Sequence, residues 1–220
     1  MCTLAREYLR EKGVQTEFVN NGDDCIVFME KSDLHKISDL PQWFLRYGFE
    51  MEVEDPVYVF EECVFCQAQP VLLDAMTDTY VMCRQPKVAF GKDAISLAVD
   101  TEIGFRQWSY QVGVGGSALF GDLPIFCELY KAHKRNGIDS NVKSSLIISD
   151  SGFMRMSAQP RIRGDFRGQI SDDTRVSFFK AFGYPPSVQM EMEQELASNN
   201  YAGLTDHVAN ISVGCGLFTI

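Results

Sequence analysis

Apolar side chains fall at Met1, Leu4, Ala5, Tyr8 and Leu9, the i, i+3, i+4, i+7 spacing of one helical face. Gly13 stands where such a helix would stop. The period then shortens. Residues 14–19 and 25–29 are apolar runs with β-branched and aromatic members, separated by Asn20-Asn21-Gly22-Asp23-Asp24. Asn and Gly tolerate the positive φ of a tight reversal, so this stretch predicts a β-hairpin. Helical spacing returns at Leu40, Trp43, Phe44 and Tyr47, with Asp39 as N-cap, Pro41 in the first turn and Gly48 past the end. Short β-rich runs follow at 51–53, 57–60, 63–65, 71–73 and 79–82. To about residue 75 the order is helix, hairpin, helix, strands: an α/β layer with helices over one sheet face.

After Arg84-Gln85-Pro86 the pattern becomes mostly helical. It predicts helices over 91–99, 123–136 (closed by Gly137), 172–182 and 187–198. Ser171 with Asp172 and Asp173 is a strong helix start, since carboxylates favour the positive end of the helix dipole. Pro185-Pro186 punctuates the last two helices. Gly113-x-Gly115-Gly116 lacks the dinucleotide-binding spacing and reads as a loop or a close-packing site.

Composition narrows the class only a little. The chain has 220 residues, 45% hydrophobic and 23% charged, enough for one large domain or two small ones with a real core. No run reaches the roughly 18 apolar residues of a transmembrane helix, so no membrane anchor is expected here. The seven Cys, an odd number in mostly apolar contexts, suit reduced and buried thiols in a cytosolic compartment. Cys63-x-x-Cys66 lacks the second pair that structural zinc needs. The net charge of −10 weighs against nucleic-acid binding, but it is unevenly spread. Residues 1–75 hold 15 acids and 6 bases, while 76–220 hold 15 acids and 14 bases.

The acidic third carries the chemistry. Asp23 and Asp24 put two carboxylates side by side at a turn, where they repel unless a divalent cation neutralises them. Such a tip resembles the metal-binding hairpin of viral RNA-dependent RNA polymerases. The likeness continues down the chain in order, and it is to the tombusvirus-like polymerases of plus-strand RNA viruses. Residues 19–25 resemble that family's metal hairpin, and 49–58 resemble the helix-to-strand segment after it. Residues 60–71 resemble the hairpin that grips the end of the nascent strand. Val81-Met82-Cys83-Arg84-Gln85-Pro86 and residues 175–183 are similar to its thumb.

The resemblance implies a right-hand polymerase fold: an α/β palm remnant over 1–75 (β-hairpin, helix, short strands), then a mostly α-helical thumb over 76–220. It implies template-directed RNA synthesis from nucleoside triphosphates with Mg²⁺ or Mn²⁺. Asp23 would be a direct metal ligand, and Asp24 partly a ligand and partly a source of negative potential. Gly22 would spare the turn backbone strain or leave room for the primer end. Asn20 and Asn21 would hold the turn through side-chain hydrogen bonds or serve as ordinary turn residues. Phe65, Cys66 and Gln67 would form the primer grip. Arg84, Lys87 and Lys92 would meet phosphates of the template–product duplex, which neutralises charge without reading sequence. Lys131-Ala132-His133-Lys134-Arg135 reads as a helix end favoured by the dipole. Arg161, Arg163 and Arg167 form a second basic cluster.

Two departures qualify that reading. The family's other metal-binding aspartate and its finger residues lie upstream of the hairpin, and the thirteen residues before Val14 cannot hold them. The chain is therefore expected to be a C-terminal fragment, inactive alone, with an unpaired strand edge. It would work with the upstream remainder of the polymerase, template and nascent RNA, nucleoside triphosphates and other replication proteins, in a replication complex in the host cytoplasm. Glu50, Glu52 and Glu54 lie near where many polymerases place a basic residue to protonate pyrophosphate, and related sequences often carry Lys where Glu52 stands, so no general acid is assigned. The alternative is a non-catalytic, polymerase-derived RNA-binding or assembly module, indifferent to loss of Asp23 and Asp24.

Overall fold

In the computed structural model, which describes residues 2–96, 101–139 and 169–198, the chain forms two units, 1–69 and 70–220, each with its own core. In the first, α1 (Cys2–Glu11) follows the apolar spacing: Tyr8 and Leu9 are buried, and Gly13, at φ +62°, lies just past its end. β1 (Thr16–Asn21) pairs antiparallel with β2 (Asp24–Met29), from Thr16 opposite Met29 to Asn21 opposite Asp24. A 3₁₀ segment, Lys31–Ile37, leads to α2 (Leu40–Leu45). Tyr8, Leu9, Val14, Trp43 and Phe44 make the core, with the Tyr8 and Trp43 rings 5.2 Å apart.

Asp39 stands at the N-cap of α2 but makes no side-chain cap bond. Its carboxylate instead accepts from the Tyr8 hydroxyl and from Lys12, each at 2.7 Å, which ties α1 to the start of α2. The bond from Lys12, then that from Tyr8, holds the Asp39 carboxyl below its usual range. Burial, then the Asp39 bond, pushes the Tyr8 phenol above its own.

Three of the five expected strands do not form. Among the described residues 51–53 and 57–60 join no β-ladder, Phe60–Glu62 forms a 3₁₀ turn instead, and of 63–65 only Phe65 bridges, to Ala68. The alternation at 50–57 is real, but Glu50, Glu52, Glu54 and Asp55 repel and Pro56 has no N–H. A strand pattern makes a strand only where a partner edge exists.

β3 (Ala68–Asp74), which begins at the end of the first unit and runs on into the second, pairs with β4 (Thr79–Arg84) in another two-stranded sheet. Next comes α3 (Pro86–Asp93), which starts five residues earlier than expected because Pro86 fits the first helical turn. The end of the expected 91–99 helix lies outside the described residues. α4 (Glu102–Phe120) runs through the glycine motif expected as a loop or packing site. The packing reading holds: a Cβ on Gly113 would come within 2.6 Å of the Lys134 side chain, and one on Gly116 within 2.2 Å of the Tyr130 ring. Both neighbours lie on α5 (Phe126–Asn136). α6 (Asp172–Phe182) is capped by Ser171, whose hydroxyl accepts from the Thr174 N–H, and ends at left-handed Gly183. α7 (Pro186–Ser198) closes the described chain.

Phe105, Trp108, Val112, Phe126, Tyr130 and Phe178 dominate this larger core. Glu193 on α7 pairs with Arg175 on α6 through both carboxylate oxygens, at 3.0 and 2.9 Å. The same carboxylate accepts the N–H of Ile125, which has a left-handed φ of 67° just before α5. The expectation of reduced, buried thiols in mostly apolar contexts holds in part among the described residues. Cys83 and Cys127 are buried, and burial pushes Cys127 up to about 12. Cys2, Cys25 and Cys63 are half-buried, and Cys66 is exposed. Among the described residues no helix is long and apolar enough to cross a membrane. The cluster of Arg161, Arg163 and Arg167 lies outside those residues.

Candidate active site

The β1–β2 hairpin turns through Gly22 and Asp23. Gly22 has φ +73°, whereas Asp23 is not among the residues at positive φ, which is the arrangement of a type II′ turn with Gly first. A Cβ on Gly22 would meet nothing within 4 Å, so the requirement for glycine is conformational rather than spatial. Gly22→Ala is therefore expected to cost about 1–2 kcal/mol, the left-handed penalty, confined to the hairpin. Hydrogen exchange on residues 18–27 would register the loss while the α1 and α2 amides stay protected.

Asn20 does what its turn position suggests. It points inward, donates its amide to the carbonyls of Gly22 (3.3 Å) and Asp24 (3.2 Å), and accepts from the Cys2 thiol (2.9 Å). Asn21 does not brace its own turn. It donates instead to the sulfur of Cys66, at 3.2 Å and 45 residues away.

Cys66 and Gln67 are the two central residues of a second tight turn, closed by reciprocal backbone bonds between Phe65 and Ala68 at 2.8 and 3.0 Å. Both are left-handed, at φ 51° and 60°, which marks a type I′ turn. That turn favours Asn-Gly, and each non-glycine residue held there costs about 1–2 kcal/mol. The turn is seated directly against the carboxylate tip: the Cys66 N–H donates to Asp24 Oδ2 at 2.6 Å.

The residues expected at the site are thus sorted. Asn21, Asp24 and Cys66 are joined by hydrogen bonds, with Gly22, Asp23, Phe65 and Gln67 as their chain neighbours. Asp23 is exposed, and its carboxylate has no hydrogen-bond or ion-pair partner among the described residues. Glu50, Glu52 and Glu54 are exposed on an unpaired stretch. Arg84, Lys87 and Lys92 belong to the other unit. There the Arg84 guanidinium pairs with Asp93, bonds the Tyr130 hydroxyl at 3.2 Å and lies over the Phe120 ring at 5.9 Å. Lys87 and Lys92 are exposed on α3. No three His, Cys, Asp or Glu side chains among the described residues converge on a metal position. The donors at the tip still suit a hard cation such as Mg²⁺, which takes one or two carboxylates and fills its remaining positions with water and substrate phosphates.

The Asp24–Cys66 link is the feature the sequence hides. Cys-Gln is not a recognised I′ pair, and only the two-residue gap between Phe65 and Ala68 hints at a turn.

A family model described as viral RNA-dependent RNA polymerase matches residues 1–202. An RNA-directed RNA polymerase from Oat chlorotic stunt virus is 38% identical over 205 residues, covering 88% of this chain and 27% of the viral protein. Proteins of the same name from Melon necrotic spot virus and Turnip crinkle virus are 34% and 32% identical, each covering 88% of this chain and 24% of their own length. The chain therefore spans about a quarter of the curated relatives it matches. No solved structure matches it.

Proposed function

The chain belongs to the viral RNA-dependent RNA polymerase family, and from that premise we propose that it supplies one metal-binding arm, the primer grip and the thumb of an RNA-directed RNA polymerase. The supporting observation is the exposed Asp23 carboxylate at the tip of a II′ hairpin, with the 65–68 turn bonded to its neighbour Asp24. In this reading 1–75 is palm and 76–220 is thumb.

In the reaction the 3′-hydroxyl oxygen of the growing RNA attacks the α-phosphorus of a nucleoside triphosphate. A phosphodiester bond forms and the bond to the β-phosphate oxygen breaks, releasing pyrophosphate. Asp23, with the remaining oxygen of Asp24, would hold Mg²⁺ or Mn²⁺, which offsets the charge gathering on the transferred phosphoryl group. Phe65, Cys66 and Gln67 would set the 3′ end in line. Lys87 and Lys92 would neutralise duplex phosphates, and Arg84, engaged with Asp93 and Tyr130, would shape the surface that carries them. The further metal ligand and the triphosphate-binding fingers would come from upstream polymerase sequence, and other replication proteins would join it in a cytoplasmic replication complex.

The test is extension of a primed RNA template by the complete polymerase carrying this segment. Product whose sequence follows the template, lost with a chelator and restored by Mg²⁺ or Mn²⁺, is the expected result. Binding of RNA without any extension would favour the non-catalytic module.

A further inference from the structure

We propose that Asp24 is a positioning residue for the primer-grip turn: its carboxylate, helped by the Asn21 amide, holds Cys66 and Gln67 in their left-handed conformations. The proposal rests on the polymerase reading for its purpose, but the lock itself stands on geometry. Two adjacent non-glycine residues at φ 51° and 60° persist only where their surroundings over-determine them. The reciprocal Phe65–Ala68 bonds close the turn, and two more bonds reach it from the hairpin tip. One is the Cys66 N–H to Asp24 Oδ2 at 2.6 Å, a charge-assisted contact of the stronger kind. The other is the Asn21 amide to the Cys66 sulfur at 3.2 Å. Asn21 and Asp24 face each other as the last cross-strand pair of the hairpin, so both anchors spring from one rung.

The consequence is a division of labour between neighbouring carboxylates. Asp23 is exposed without a protein partner among the described residues, whereas one oxygen of Asp24 is committed to the backbone of a turn 42 residues away. The turn that would place the 3′ end is thereby fixed to the strand pair that would carry the metal. A displacement of one is felt by the other.

The complete polymerase with Asp24→Asn and Asp24→Ala separates this role from metal binding. Asn lacks the charge but keeps an oxygen to accept the Cys66 N–H, and Ala has neither. Hydrogen exchange at the Cys66 amide, which needs no catalysis, is expected to quicken about tenfold in Asp24→Ala relative to Asp24→Asn, the factor that goes with losing one such bond. Extension assays are expected to show a higher KM for the primed RNA end in Asp24→Ala than in Asp24→Asn, with similar KM values for nucleoside triphosphate. Equal Cys66 exchange in the two variants, or equal KM for the RNA end, would overturn the proposal. Protection of the α1 amides in both variants checks that the first unit is folded. If the parent enzyme makes no product, the polymerase reading fails, and the exchange comparison still decides whether Asp24 holds the turn.

Discussion

Asp23→Ala in the complete polymerase is expected to abolish RNA synthesis, by about 10³-fold or more, while RNA binding stays near the parent value. The size follows from what a metal ligand contributes: stabilising charge on a transferring phosphoryl group is worth several kcal/mol, and each 1.36 kcal/mol is a factor of ten in rate. The selectivity follows from where Asp23 sits. It is exposed at the second central position of the turn, with no protein partner among the described residues, so alanine removes no contact that folds the hairpin. Nor does RNA depend on it for attraction. Residues 1–75 carry 15 acids against 6 bases, and losing one carboxylate there lowers the repulsion toward phosphates. Primer extension and a filter-binding isotherm, run on the same preparation with Asp23→Asn alongside, check both halves. Extension by Asp23→Ala at a tenth of the parent rate would sink the metal assignment, and a parallel loss of RNA binding would point to a misfolded hairpin instead.

The parts of this molecule legible in its sequence are those whose signals are local. Gly13, Gly22 and Gly48, all at positive φ, marked three chain reversals or helix ends. The helical spacings that include Tyr8 and Leu9, and Trp43 and Phe44, marked the two apolar faces that meet in the core of the first unit. What stayed hidden depends on partners. The 51–53 and 57–60 runs look like strands, yet among the described residues they join no sheet. Gly113 and Gly116 look like chain breakers, yet they sit inside α4 because α5 comes so close that no side chain fits between. Their helix-breaking cost of about 1 kcal/mol each is offset by that approach. Asp39 was read as a cap from its position, but its carboxylate is drawn to Tyr8 and Lys12. At the tip, the paired carboxylates were visible in the sequence. The backbone N–H that occupies one of them was not, because no residue type advertises its own amide.

Gly116→Ala should be the most damaging single-methyl change in the second unit. Its Cβ would lie 2.2 Å from two ring carbons of Tyr130, well inside contact distance, so the ring or a helix must move. Tyr130 is fully buried and cannot swing into solvent. Its hydroxyl donates to Asp93 at 2.8 Å and accepts from Arg84, so shifting the ring also disturbs the Arg84–Asp93 ion pair. Overpacking alone costs about 1–3 kcal/mol, and weakening the hydrogen bonds that join Tyr130, Asp93 and Arg84 adds about 1 kcal/mol, so a net loss of about 3 kcal/mol is expected. In hydrogen exchange that loss appears as about 100-fold faster opening of α4 and α5. Gly91→Ala supplies the contrast, since Gly91 is exposed on α3 and a Cβ there meets nothing within 4 Å. Removing glycine from that helix should be neutral or stabilise by up to about 1 kcal/mol. If α4 and α5 exchange no faster in Gly116→Ala than in Gly91→Ala, the two helices do not pack through Gly116. The glycine motif would then have no structural account.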